Sequence, residues 1–144
     1  MNEHGFIKAV HRKLPPEIYR WKIHDTYTGG VPDTWYAGPA GTIFVEYKYI
    51  NRLPKKPTTK IKGGLSALQL AWLDRMWSYN LLVAVIIGST KGAVIQIDQN
   101  WHKSLTVGDF ESGLDVSEVA TWLTNRVLKS RDQNNDNRQK FSST

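Results

Sequence analysis

Two carboxylates and one lysine in this sequence have types and a spacing that could support acid–base or metal chemistry. Asp33 precedes the turn sequence GPAG (38–41), and Glu46 and Lys48 lie two residues apart in the run TIFVEYKYI (42–50) that follows the turn. Two β-rich runs around such a turn predict a β-hairpin. If the central Pro-Ala pair forms a two-residue turn, the register places Asp33 directly opposite Glu46.

The predicted hairpin brings these three side chains onto one patch. Directly opposed residues have Cβ atoms about 4.5–5.5 Å apart, and Lys48 shares the face of Glu46 because side chains alternate with a period of two. Two carboxylates at this short distance repel each other unless one is protonated or a cation lies between them. Mg²⁺ binds through oxygen atoms of carboxylates, waters and phosphates. Lys48 could orient a metal-bound water and stabilise the negative charge that develops on the phosphate during hydrolysis. The pattern therefore indicates hydrolysis of a phosphate ester.

Each motif also has an ordinary structural interpretation. A Glu-x-Lys pair on a strand is usually a solvent-facing charged pair, and Pro-Asp is a common turn dipeptide. Their combination on two paired strands, in an otherwise apolar run, favours the catalytic interpretation.

The order of these motifs resembles a known nuclease superfamily. GVPD (30–33), a hairpin, VEYK (45–48) and a helix that begins LSALQ (65–69) are similar to the PD-(D/E)XK nucleases. Within that superfamily the chain looks most like the small stand-alone VRR-type nucleases and phage Holliday-junction resolvases. The resemblance covers residues 1 to about 98. It implies an αβββαβ core like that of restriction endonucleases.

The resemblance also assigns roles to individual residues. It implies that Asp33, Glu46 and the backbone carbonyl of Tyr47 bind Mg²⁺ or Mn²⁺. Lys48 would then assist the nucleophilic water, and Gln69 would lie at the edge of the site as a further catalytic residue. Gln69 is equally well explained as the last residue of an S-x-x-Q capping box, and the two roles are compatible.

The elements that must position these residues follow from hydrophobic periodicity and capping signals. The predicted helices and strands, besides the hairpin, are 2–14, 19–26, 66–80, 81–88, 92–98 and 116–128. The first helix carries Glu3, which the resemblance makes an accessory metal-binding acid. The second helix begins at Ser66 and has Trp77 on its buried face. The fold class is therefore α/β (α+β mixed), with a central mixed β-sheet flanked by helices and a C-terminal helix.

The predicted domain organisation is a single nuclease domain, residues 1–129, followed by a polar tail, residues 130–144. The tail sequence SRDQNNDNRQKFSST has almost no apolar content, so we expect it to be disordered. We find no internal repeat.

A basic segment between the hairpin and the second helix, residues 51–64, contains five cations and no acid. Together with Lys22 on the first strand, they are the candidate nucleic-acid-binding residues: Arg52, Lys55, Lys56, Lys60 and Lys62. The segment could be a solvated, mobile loop or a flexible arm that follows a phosphate backbone. The formal net charge of +6 favours polyanionic partners only modestly.

Several other kinds of site are disfavoured by the sequence. The chain has no cysteine, and its histidines lack metal-ligand spacing, so a thiolate or zinc site is not expected. The longest apolar run (81–87) is too short to cross a bilayer, and no secretory signal is recognisable, so we expect a cytoplasmic protein of a bacterium or a phage-infected host. The six tryptophans are interpreted mainly as core residues, and Trp35 is the candidate for stacking on a base.

The leading hypothesis from the sequence is a Mg²⁺-dependent deoxyribonuclease that hydrolyses phosphodiester bonds in branched or four-way junction DNA. A four-way junction is two-fold symmetric, so a resolvase would act as a homodimer. The alternatives are a non-catalytic nucleic-acid-binding protein with the same fold, and a structural or assembly protein whose basic loop contacts a partner.

Overall fold

The computed structural model describes residues 1–25 and 27–129. Its helices are α1 (Glu3–Arg12), α2 (Ala67–Ser78), α3 (Val107–Glu111) and α4 (Val116–Val127), with a 3₁₀ turn at Asn100–His102. Its strands are β1 (Tyr19–Lys22), β2 (Thr34–Gly38), β3 (Gly41–Ile50), β4 (Lys60–Ile61), β5 (Val83–Ser89), β6 (Val94–Gln96) and β7 (Leu105–Thr106). The predicted tail lies outside the described residues. No helix in the described part of the chain is long and apolar enough to cross a membrane.

The central sheet has five strands in the order β1-β2-β3-β5-β6. The first three strands form an antiparallel meander, β5 pairs parallel with β3, and β6 pairs antiparallel with β5. The helix α2 makes the crossover between the two parallel strands, as a parallel connection requires. The predicted fold class, a mixed sheet flanked by helices, is confirmed.

The hairpin between β2 and β3 has the register that the sequence predicts. Gly38 pairs with Gly41, and Trp35 pairs with Phe44, so the two-residue turn falls at the Pro-Ala pair. The last ladder pair is Thr34 with Val45. Continuing this register by one residue places Asp33 opposite Glu46, at the point where the ladder ends.

The two faces of the sheet bury separate apolar clusters. Alternate residues of β3 and β5, such as Tyr47 and Ile86, pack with α1 and α4 on one face. The intervening residues, such as Phe44 and Val85, pack with α2 and the segment around Phe110 on the other. Residues 83–88 are all buried, so this strand is covered on both faces.

Helix α2 begins where the sequence predicts, with both halves of the capping box formed. The Gln69 N–H donates to Ser66 Oγ (3.1 Å), and the Ser66 N–H donates to Gln69 Oε1 (2.9 Å). Asn80 adopts the left-handed conformation (φ 63°) after the helix end, as expected of a C-terminal residue. Leu73 is buried, but the prediction for Trp77 is wrong, because its side chain is 38% exposed and donates to Asp98.

The basic segment 51–64 is less free than a flexible arm. Within it, β4 pairs with β7, so that Lys60 lies opposite Thr106. The N–H groups of Val107 and Gly108 also donate to carbonyls of this segment (3.1 and 2.9 Å). The sequence predicted neither β4 nor β7, because two-residue strands carry no usable periodicity. Pairing with the start of α3 therefore anchors the second half of the basic loop.

The interpretation of the tryptophans as mainly core residues is only partly correct, since Trp72 and Trp122 pack against the two apolar clusters while Trp21 and Trp77 are exposed. Trp101 is buried (5% exposed) and anchors the connection after β6, but Trp21 is 52% exposed, and the other four are partly buried or exposed. The reason is topological. Strands β1 and β2 form the outer part of the sheet, beyond the strands on which α2 packs, so one face of this region keeps its aromatic side chains accessible.

Candidate active site

Asp33 is held beside β3 by two hydrogen bonds from main-chain N–H groups, one to its backbone carbonyl and one to its carboxylate. Its backbone carbonyl accepts from the Ile23 N–H (2.7 Å), which extends the pairing of β1 with β2 by one step. Its side-chain Oδ2 accepts from the Tyr47 N–H (3.2 Å). Asp33 therefore lies at the mouth of the hairpin with its carboxylate turned across to the strand that carries Glu46 and Lys48.

Glu46 is a buried carboxyl group, with 3% of its surface exposed. Burial, together with the charge and hydrogen bond of the neighbouring Asp33 carboxyl, raises its pKa to about 9. The positive charge of Lys48 opposes this shift. The two carboxylates and the lysine predicted to share one patch are therefore close in space. In the protein alone, Glu46 keeps its proton at neutral pH.

Gln69 contacts Glu46 while it caps α2. Its side-chain carbonyl accepts from the Ser66 N–H, and its side-chain Nε2 donates to Glu46 Oε1 (3.2 Å). Gln69 thus forms the predicted cap and contacts Glu46, and its catalytic role stays a prediction. The start of α2 thereby fixes one oxygen of the buried carboxyl group.

The loop that leads to Asp33 packs against the same helix start. Gly30 has φ +85°, and a Cβ at this position would lie 2.3 Å from the Leu68 carbonyl oxygen. Only glycine combines this backbone conformation with so close an approach. The Gly-Gly pair before Asp33 therefore sets the distance between the Asp33 loop and the first turn of α2.

Glu3 lies close enough to the same patch to interact with Asp33 and Lys48. It is the first residue of α1, whose N-terminus is capped by Asn2. Burial raises the pKa of Glu3, and the Asp33 carboxylate adds to the rise, whereas Lys48 and Lys22 lower it. Glu3 thus interacts electrostatically with Asp33, Lys48 and Lys22, and its accessory role stays a prediction.

The donor set at this patch suits a hard divalent cation. Asp33 and Glu46 supply carboxylate oxygens, which Mg²⁺ and Mn²⁺ prefer, and a cation could replace the proton that Glu46 otherwise retains. The residues fit such an ion as a two-carboxylate site with substrate and water completing the shell. In the described part of the chain, no group of three or more His, Asp or Glu side chains is arranged to hold a metal. The contact seen for Tyr47 is through its N–H, and the role of its carbonyl stays a prediction.

The predicted nucleic-acid-binding cations are all accessible. Lys22 on β1 is exposed, as are the five cations of the basic segment: Arg52, Lys55, Lys56, Lys60 and Lys62. The segment starts directly after β3, so it leaves the sheet at the end that carries Lys48. Their contact with a phosphate backbone stays a prediction.

A buried hydrogen-bonded chain supports the site from the opposite face of the sheet and was not anticipated from the sequence. His11 Nε2 contacts the Tyr36 hydroxyl (2.7 Å), which contacts the Tyr47 hydroxyl (2.6 Å). Burial, with the charge of Arg20, lowers the pKa of His11 to about 4, so the ring is neutral at pH 7. The chain ties α1 to both strands of the hairpin. The available signal was the predicted hairpin register, which places Tyr36 and Tyr47 together on the face opposite to Glu46.

Comparison with known proteins supports the fold. No protein-family model matches the chain, and a search of curated proteins finds no significant match. Among solved structures, the chain is similar to Hjc, a Holliday junction resolvase from the archaeal hyperthermophile Archaeoglobus fulgidus. The TM-score is 0.52 at 12% sequence identity, over 82% of this chain and 96% of that chain. At this identity the similarity establishes a shared fold.

Proposed function

We propose that this protein is a divalent-metal-dependent endonuclease that hydrolyses phosphodiester bonds in branched DNA, four-way junctions included. The observation that carries the proposal is the Asp33–Glu46 carboxyl pair, with Glu46 buried and Lys48 on the same strand. A carboxyl group that must keep its proton beside a second carboxylate costs stability near neutral pH, so its presence at the mouth of a hairpin favours a functional role.

Each residue of the site has a definable task. Gln69 donates to Glu46 and fixes its rotamer, while the Tyr47 N–H holds the Asp33 carboxylate in place. A bound Mg²⁺ or Mn²⁺ would neutralise the two carboxylates and offset the negative charge of the scissile phosphate. Lys48 would orient the attacking water and stabilise charge that develops on the phosphate oxygens.

The choice of branched DNA rests on two arguments. The structural neighbour is a Holliday junction resolvase, and it shares this fold along most of both chains. The exposed cations on β1 and after β3 also offer sequence-independent contacts to phosphates rather than to base edges. Resolution of a two-fold symmetric junction requires two active sites, so we propose that a homodimer is the active form.

The test is cleavage of linear, nicked, flap and four-way junction DNA with Mg²⁺, Mn²⁺ or EDTA. We expect metal-dependent cleavage of the junction, lost by Asp33→Asn, Glu46→Gln and Lys48→Met while DNA binding is retained. Glu111→Gln, an exposed substitution of the same type on α3, serves as the matched control and should cleave normally. Cleavage that persists in all three site variants would refute the assignment.

A non-catalytic DNA-binding protein is the second candidate. It is favoured by the observation that no cluster of three metal-binding side chains occurs among residues 1–25 and 27–129. This candidate predicts salt-sensitive junction binding, because phosphate contacts release counterions, with no cleavage in either metal. The same panel therefore separates the two functions.

A further inference from the structure

A row of aromatic side chains crosses one face of the sheet from its edge to α2. Tyr19 and Trp21 of β1 each meet Trp35 of β2 edge to face, with ring centroids 5.9 and 6.4 Å apart. Trp35 lies 6.3 Å from Phe44 of β3, which in turn meets Trp72 of α2 at 5.3 Å. These centroid distances are typical of favourable aromatic contacts, so the rings of the row hold one another in place.

The outer end of this aromatic row is accessible. Tyr19 is 60% exposed and Trp21 is 52% exposed, although both are on a strand of the central sheet. The residues that follow them in the sequence, Arg20 and Lys22, lie on the other face of the sheet, because side chains alternate along β1. Exposed aromatic rings that are held edge to face form an ordered apolar surface with a polar margin.

The aromatic row is continuous with the candidate active site. Trp35 follows Asp33 by two residues, and Phe44 precedes Glu46 by two, so the row and the carboxyl pair share one face of the hairpin. Residues two apart on a strand are about 6.6 Å apart. A DNA strand with a phosphate at the carboxyl pair therefore has its neighbouring nucleotide within reach of Trp35 and Trp21.

A cleft beside Trp21 gives this surface a polar margin. It has a volume of about 380 Å³, within the range of small-ligand sites, and is lined by Trp21, Ile23, His24, Asp25, Val31 and Phe44. Asp25 is the acidic residue of the lining, and its Oδ1 already accepts from the N–H groups of Tyr27 and Thr28 (2.8 and 3.2 Å). The exposed His24 in the same lining can donate to a phosphodiester oxygen.

The size of the exposed patch favours a small planar occupant over a second copy of the chain. An aromatic side chain buries about 150–250 Å² when fully covered, so the exposed parts of Tyr19 and Trp21 amount to about 200 Å². A stable protein–protein interface needs about 800 Å² on each partner. A nucleobase, in contrast, covers one or two rings.

We propose that the Tyr19–Trp21–Trp35 surface is a stacking platform that holds an unpaired base of the DNA strand bound at the carboxyl pair. The inference rests on the proposed function and specifies its substrate as DNA with unpaired or unstackable bases next to the scissile phosphate. Stacking on an aromatic side chain is tolerant of base identity, so the platform selects DNA structure rather than sequence.

The experiment measures binding in EDTA, where no cleavage takes place. The full-length protein is titrated with a four-way junction, a flap and a fully paired duplex that carry 2-aminopurine next to the branch point or at the matching duplex position. We expect Trp21→Ala to weaken flap and junction binding about tenfold and to abolish 2-aminopurine quenching, with duplex affinity unchanged. Trp21→Phe should restore most of the quenching.

Trp77→Ala is the matched control, since Trp77 is also exposed but lies at the far end of α2. It should bind all three DNAs as the unsubstituted protein does. Equal affinity and quenching in Trp21→Ala would overturn the platform. A dimer in sedimentation that dissociates in Trp21→Ala would also overturn it and would assign the face to a second copy.

The two proposals fail separately. If no DNA is cleaved in any metal but Trp21→Ala loses quenching, the nuclease assignment fails and base stacking stands. If the junction is cleaved and Trp21→Ala binds normally, the nuclease assignment stands and base stacking fails.

Discussion

Glu46→Gln should stabilise the metal-free protein increasingly as the pH rises. Glu46 has an ordinary pKa of 4.5, and burial and Asp33 raise the pKa to about 9 in the folded protein. Between these values the folded state keeps a proton that the unfolded state releases. The fold is therefore favoured at low pH, and it loses this contribution as the pH rises towards 9. Glutamine is a neutral mimic of the protonated side chain, so it does not titrate.

The expected magnitude follows from the pKa difference. One pKa unit corresponds to about 1.4 kcal/mol, so the Glu46 contribution falls by about 1.4 kcal/mol per pH unit within this window. Between pH 5 and pH 8 the unfolding free energy of the unsubstituted protein should fall by about 4 kcal/mol relative to Glu46→Gln. Other titrating groups act on both proteins and cancel in the difference.

The assay is urea unfolding in EDTA at pH 5, 6, 7 and 8. Glu111→Gln is the control, and its stability curve should run parallel to that of the unsubstituted protein. Saturating Mg²⁺ at pH 8 should stabilise the unsubstituted protein, by about 2.7 kcal/mol at one hundred times the dissociation constant, but not Glu46→Gln. Parallel pH curves for Glu46→Gln and the unsubstituted protein would show that Glu46 is not held protonated, and the reasoning would be wrong.

Three further substitutions test the framework of the site. Gly30→Ala should destabilise the fold by about 2 kcal/mol or more in urea unfolding, because of its positive φ and the carbonyl at 2.3 Å, whereas Gly63→Ala, with open space around it, should not. Gln69→Glu keeps the capping box but replaces the donor to Glu46 with a third carboxylate, so cleavage should fall about tenfold or more and thermal stability should also fall at neutral pH. His11→Gln should flatten the loss of stability that the unsubstituted protein shows between about pH 6.5 and about pH 4, because the folded protein holds His11 neutral there; an unchanged acid limb in urea unfolding would contradict this.

The hairpin and the start of α2 could be predicted from the sequence because their signals are local. A two-residue turn fixes every cross-strand pair, so the position of Pro39-Ala40 was sufficient to place Asp33 opposite Glu46. The capping box likewise fixed the first turn of α2. The candidate site lies where these two local signals meet.

The exposed aromatic face and the pairing of β4 with β7 could not be predicted, because both depend on contacts distant in sequence. Tyr19 and Trp21 are residue types that are usually buried, and they are exposed because β1 is an edge strand. The order of the elements along the chain does not by itself show which strand lies at the edge. Two-residue strands such as β4 are defined by their partner rather than by their own residues. Hydrophobicity predicted burial correctly only where a helix covers the sheet.

The first turn of α2 links the stability of the fold to the geometry of the site. The side-chain amide of Gln69 links the helix cap to Glu46, because its oxygen accepts from Ser66 and its nitrogen donates to Glu46. Gly30 allows the loop that carries Asp33 to pack closely against the backbone carbonyl of Leu68, the residue before Gln69. Both carboxylates are thus positioned against a single helix terminus, although they come from different strands. Because the cap fixes the first turn of α2, this arrangement holds the protonated Glu46 and the loop that carries Asp33 in place without an ion. The carboxyl pair is therefore preorganised by backbone and cap contacts rather than assembled by the cation.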